Sequence, residues 1–213
     1  MTVNGTPAPL YYVSPTQINF IVPWNAPTTG TADVQVLNTV TGQLLAAGKV
    51  PMNTVSPAIF AGVSAGVGAK LAAVINNTSG AANDPTHPAK AGEYISVYAT
   101  GQGLVPISDQ PADGDIPRNG LVGAKGNLRV WMCNDYTDQI PLQGDEKRSI
   151  PGADTNFIQF SGLSPAFPGM WQVNVRVPQA CAAGAQVVSF LYDSVPDNVA
   201  SFTGYKIVFY VTR

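Results

Sequence analysis

The sequence predicts an all-β protein made of two immunoglobulin-like β-sandwich units, the first incomplete. Three observations carry that expectation. Short segments alternate apolar and polar residues with a period of two, and they are rich in β-branched and aromatic side chains. The 21 glycines and 18 prolines are spread over 213 residues as turn punctuation and do not gather into one tract. One stretch also occurs twice, as Ser14-Pro-Thr-Gln-Ile-Asn-Phe-Ile-Val-Pro23 and as Ser164-Pro-Ala-Phe-Pro-Gly-Met-Trp-Gln-Val-Asn-Val-Arg-Val-Pro178. Aligned on Gln-x-Asn-x-x-Val-Pro, Gln17 matches Gln172, Asn19 matches Asn174, Val22 matches Val177 and Pro23 matches Pro178. Each copy is a Ser-Pro turn, an alternating strand and a proline stop, so the chain is expected to repeat a structural unit.

The elements follow in order. Pro9–Val13 is apolar and aromatic, and Gln17–Val22 places Ile18, Phe20 and Val22 on one face. Ala32–Leu37 alternates, Thr39–Gly42 reads as a hairpin turn, and Leu44–Met52 returns. Ser56–Phe60 is a junction, which divides the chain into residues 1–60 and 61–213. Gly62–Val74 holds too many glycines for a helix and reads as a connector into a strand at Leu71–Ile75. Further strands are expected at Glu93–Ala99, Leu128–Met132, Asn156–Phe160, Gln172–Val177, Gln186–Tyr192 and Tyr205–Val211. A polar insertion spans about 136–154. The first unit thus has about four strands where the second has about seven. It begins partway through its own module, and a sandwich short of strands leaves an apolar face and an unpaired edge that another chain can complete.

Composition narrows the function. Charged residues make up only 11% and the net charge is −2. No basic run offers a nucleic-acid footprint, and no apolar stretch approaches the roughly 18 residues of a membrane span. Met1 is followed by polar, turn-like Thr2–Thr6, so no leader is visible in this chain. No nucleophile–base pattern, cofactor loop or metal-ligand spacing emerges, so neither an enzyme nor a cofactor protein is expected.

The stretches Val3–Pro23, Asn83–Gly101 and Gly162–Pro178 together resemble an uncharacterised module found near the C-terminal end of exported bacterial proteins. The resemblance covers nearly the whole chain. It implies export and an immunoglobulin-like sandwich, and it implies no activity. The chain departs from that family in the insertion at about 136–154 and in its two cysteines.

Candidate sites are few. Cys133 ends one strand and Cys181 follows another. If the intervening strands run up, down and up, both emerge at the same end and form a disulfide, which suits an oxidising compartment. His87, the only histidine, sits in the proline-rich loop Asp84–Pro88 and reads as a plain loop residue. Asp109, Asp113 and Asp115 share a loop without the spacing of a calcium site. Gly62–Gly68 lacks the Lys-Ser/Thr pair of a phosphate loop. Trp171 is expected in the core, and Trp24, after Pro23, is the candidate glycan contact. Asn4, Asn76 and Asn77 match the glycosylation acceptor pattern and are expected in surface loops. The function expected from all this is a non-enzymatic extracellular or cell-surface structural subunit, a homo-oligomer polymerised head to tail by β-strand complementation. The alternative is a carbohydrate-binding or adhesion module of a larger exported protein, with polysaccharide as partner.

Overall fold

The protein is seen in a computed structural model whose described residues are 1–133, 135–138, 158–197 and 205–213. Two hairpins open the chain. β1 (Thr2–Val3) and β2 (Thr6–Pro7) flank a two-residue turn in which Asn4 and Gly5 have φ of +46° and +80°. Asn-Gly is the pair best suited to such a turn, because both positions need positive φ. β3 (Leu10–Val13) and β4 (Ile18–Phe20) flank the Ser14-Pro15 turn. β5 (Thr31–Leu37) and β6 (Leu44–Pro51) make a longer hairpin.

The chain then enters the larger unit. It continues through β7 (Ala58–Ile59), β8 (Ala61–Ser64), β9 (Ala69–Ala72), β10 (Val74–Asn76), β11 (Ala89–Lys90) and β12 (Tyr94–Thr100). A single 3-10 turn at Ile107–Asp109 interrupts the following loop. β13 (Leu128–Met132), β14 (Asp135–Asp138), β15 (Ile158–Leu163), β16 (Trp171–Arg176), β17 (Gly184–Tyr192), β18 (Val195–Pro196) and β19 (Lys206–Thr212) complete the chain.

Several boundaries differ from the sequence expectation. Ala58–Ile59 pairs with β12, and Ile59 lies in the larger unit's core, so the first unit ends before β7 and not at residue 60. The glycine-rich connector is a hairpin, with Gly66 and Gly68 at positive φ between β8 and β9. The strand expected at Leu71–Ile75 changes sheets at Ala73: β9 runs parallel to β19, and β10 pairs with β12. Of the insertion at about 136–154, residues 136–138 pair with β13, and the remainder lies outside the described residues.

The larger unit is an all-β sandwich. One sheet has the order β10-β12-β16-β15 with β7 beside β12; the other runs β14-β13-β17-β19-β9-β8. Alternation places Ile95, Val97, Trp171, Val173 and Val175 between the sheets, opposite Val130, Met132, Phe190, Tyr192 and Phe209. Trp171 is fully buried, lies 4.8 Å from the Tyr192 ring, and donates its indole N–H to Ser161 Oγ at 3.0 Å. Satisfying that N–H is what allows a tryptophan at the centre.

The first unit reuses part of this connectivity. Its larger sheet has the order β2-β1-β5-β6, which parallels β14-β13-β17-β19 strand for strand, and its hairpin β3-β4 parallels β15-β16. All the corresponding pairings are antiparallel in both units. Val3 faces Val34 as Met132 faces Val188. The next residue begins the turn at φ +46° in Asn4 and +53° in Cys133. After the repeated strand, Ala26 N–H bonds Pro23 O at 3.0 Å, as Cys181 N–H bonds Pro178 O at 3.0 Å. The Cys133–Cys181 positions therefore correspond to Asn4 and Ala26. Replacing both, Asn4→Cys with Ala26→Cys, is expected to add a second disulfide, read as no free thiol in the oxidised protein. Two titratable thiols would show that the two units are not superposable in this register.

Candidate strand-accepting site

The repeated motif folds alike in both units. Ser164 Oγ accepts the N–H groups of Ala166 and Phe167 at 3.3 and 3.2 Å, tightening its turn. Ser14 Oγ accepts those of Thr16 and Gln17 at 3.3 and 3.0 Å. Gln172 Nε2 donates to Asn174 Oδ1 at 2.9 Å, and Gln17 Nε2 donates to Asn19 Oδ1 at 2.6 Å. Beyond this point the two copies differ. In the larger unit the ladder continues, because Ser96 on β12 donates its hydroxyl to Asn174 Oδ1 at 2.8 Å. In the first unit β4 pairs only with β3 among the described residues, and Asn19 is exposed.

The same difference governs burial. β16 lies between β12 and β15, and Val173, Val175 and Val177 are each 0% exposed. Their counterparts on the first copy are half-buried Ile18 and Phe20 and Val22, which is 47% exposed. β6 behaves likewise. Its counterpart β19 has β9 on its outer edge and buries Ile207, Val208, Phe209 and Val211. β6 pairs only with β5 among the described residues, and every one of its residues is exposed, including Leu44, Leu45 and Val50. What remains inside the first unit is small: Val3, Ala8 and Ala32 are buried, with Phe20, Ala26, Val34 and Met52 half-buried around them. The edges of β4 and β6, unpaired among the described residues, and the uncovered aliphatic side chains together form a template for added strands.

A groove runs beside β4. It encloses about 730 Å³ and is bordered by Gln17–Trp24, by Pro51–Ser56 and by Thr100–Leu104 of the larger unit. Three contacts fix its walls. Trp24 donates its backbone N–H to Asp113 Oδ1 and its indole N–H to the Pro111 carbonyl, each at 2.9 Å. The Ile21 side chain lies over Gly169, where a Cβ would come within 3.0 Å of it. Ser56 N–H bonds Gly101 O at 2.9 Å, and Gly101, at φ +83°, leaves no room for a Cβ against the Ser56 carbonyl. Nothing in the sequence flags these apposed glycines, since each reads as an ordinary turn residue. Asn4-Gly5, by contrast, carries a hairpin signal that a strand search starting at Pro9 passes over.

The other sequence-derived residues fall as follows. Cys133 and Cys181 are joined by a disulfide, with Cα atoms 5.2 Å apart and 48 residues of separation. In the chain-entropy model such a link contributes at most about 4 kcal/mol. Trp24 is half-buried and doubly hydrogen-bonded, an anchor between the units and not an open stacking platform. Asn4 lies in an exposed turn, and its Oδ1 accepts the Asp33 N–H at 2.7 Å. Asn77 is exposed. Asn76 does not lie in a surface loop: it is 3% exposed, and its Nδ2 donates to the His87 carbonyl at 2.7 Å, so its amide is committed to the fold. Asp109 accepts from Ser108, Asp113 caps Trp24 and Asp115 pairs with Arg118. Among the described residues no three His, Cys, Asp or Glu side chains gather as a metal site, and no helix is long and apolar enough to cross a membrane.

His87 belongs to a small acid-centred turn. Asp84 Oδ1 accepts the Thr86 hydroxyl, the Thr86 N–H and the His87 N–H, each at 2.7 Å. These bonds, the Thr86 hydroxyl foremost, stabilise the carboxylate and lower its pKa from 3.8 to about 2. Because the folded value lies below the unfolded one, the turn's contribution is present above about pH 4 and is lost as the pH falls through 2. Carboxyl-detected NMR is expected to place the Asp84 midpoint near 2, and Asp84→Asn to flatten the acid side of the stability profile; a midpoint near 4 would contradict the turn.

Comparison with known protein families, curated proteins and solved structures finds no match to this chain.

Proposed function

We propose that the chain is a non-enzymatic extracellular structural subunit that assembles head to tail, the first unit of each copy being completed by β-strands from its neighbour. One observation carries this reading. The first unit repeats the connectivity of the larger one as far as β4 and β6, and among the described residues it has no counterpart of β12 and β9 on those edges. Exposed Leu44, Leu45 and Val50 on β6, and exposed Val22 after β4, are the side chains that such strands would cover. An acceptor surface on one copy and a donor segment elsewhere on the next make a heterologous contact, which extends as an open filament unless geometry closes it. The disulfide supports an oxidising, extracellular or cell-surface setting. The sparse charge suits a surface used for packing more than for electrostatic steering.

The competing reading, a carbohydrate-binding or adhesion module, has less behind it. It needs an exposed aromatic row, and the indole N–H of Trp24 is already bonded to the Pro111 carbonyl. Tyr11 and Tyr12 are exposed at the register shift of β3 on β4, a pair of rings and not a row.

Electron microscopy with sedimentation velocity tests the proposal. Fibres, or species that grow with concentration, are expected. Leu45→Lys on β6 is expected to shift them toward monomer, since an edge lysine discourages strand addition. A strictly monomeric solution at every concentration, with a folded first unit, would overturn the reading.

A further inference from the structure

The geometry points to the identity of the strand that β4 accepts. Resting on the complementation reading above, we propose that the free edge of β4 takes an extended antiparallel strand in the register in which β12 lies on β16, and that Asn19 selects serine or threonine at one position of it. The occupant is a polypeptide strand with the pattern of Glu93–Thr100: a small hydroxyl residue opposite Asn19, and aliphatic side chains on either side of it.

The larger unit supplies the template. There Ser96 faces Asn174, Ile95 faces Val175 and Val97 faces Val173. Ile95 and Val97 are fully buried, while Ser96 turns to the other face, its hydroxyl 2.8 Å from both Asn174 Oδ1 and Asn77 Oδ1, with one proton to give. With that proton on the Asn174 side, Asn174 Oδ1 accepts two bonds, one from Ser96 and one from Gln172 Nε2. Asn19 Oδ1 holds the corresponding bond from Gln17 Nε2, and Asn19 is exposed. A carbonyl oxygen has two acceptor sites, and filling the second from an incoming hydroxyl reproduces the ladder of the larger unit. By the same register, aliphatic residues of the incoming strand meet Ile18 and Phe20, which are half-buried now and whose counterparts Val173 and Val175 are fully buried. The groove bordered by Gln17–Trp24 is where this backbone lies.

The test uses the full chain and a labelled peptide of residues 91–101. Saturable binding is expected by fluorescence anisotropy. The peptide carrying Ser96→Val is expected to bind roughly tenfold more weakly, the usual scale for leaving a buried acceptor unmet, and a scrambled peptide not at all. In the chain carrying Asn19→Ala the difference between the serine and valine peptides is expected to vanish. A peptide carrying Ser96→Cys is expected to form a disulfide with an Asn19→Cys chain faster than with Gln17→Cys or Ile21→Cys chains. Equal binding of the serine and valine peptides, binding of the scrambled peptide, or crosslinking preferentially at another position would overturn the register. Filaments without peptide binding would remove this proposal and leave the assembly reading standing. Peptide binding in the stated register without any assembly would do the reverse.

Discussion

A strand inside a β-sandwich has two edges and one apolar face, and all three need cover. That single requirement organises this molecule. β16 meets it: β12 and β15 pair with its edges, and Val173, Val175 and Val177 are lost to solvent. β4 carries the same motif, the same turn and the same Gln–Asn side-chain bond, yet it has one partner strand among the described residues and a half-open face. The contrast sits within one chain, so differences of sequence family or solvent cannot account for it. It comes from what lies alongside.

The energetic consequence follows from area. Fully burying a Val, Leu or Phe side chain is worth about 1.5–3 kcal/mol. Val22, Leu44, Leu45 and Val50 are partly exposed, so covering them offers several kcal/mol to any strand that fits, against the cost of ordering it. The first unit's own buried residues, Val3, Ala8 and Ala32, are too few and too small to make a comparable core. It is held instead by its junction with the larger unit. Trp24 is bonded to the loop at Pro111–Asp113, Ile21 rests on Gly169, and Ser56 lies against Gly101. These contacts fix one wall of the groove while leaving its edge strands free.

Much of the fold was legible in the sequence because period-2 alternation is strong where one face is buried. Tyr94–Thr100, Leu128–Met132 and Trp171–Arg176 fall almost where alternation places them. The repeat also pointed to a related unit at the start of the chain, though about four strands were expected there and β1 to β6 are seen. Three features escaped. The two-residue strands β1, β2 and β7 are too short to show a period, although Asn4-Gly5 is a hairpin signal in its own right. The sheet change at Ala73 leaves no mark, since both halves of that strand are apolar. Trp24 and Asn76 follow turn-forming residues or sit in sequons, so each reads as exposed; Pro111, 87 residues away, draws in the first, and Asn83 and His87 of the folded-back loop draw in the second. Side-chain partners brought in by loop folding or from far along the chain are what a one-dimensional pattern cannot encode.

The most direct measurement is hydrogen–deuterium exchange across a concentration series, read at peptides covering residues 17–23 and 44–51. If these edges are completed by a neighbouring copy, their amides exchange fast in dilute monomer and become protected as concentration rises, while β12 and β16 stay protected throughout. Slow exchange of both segments in the dilute monomer would mean that the first unit closes on itself, and borrowed strands would have no place in it.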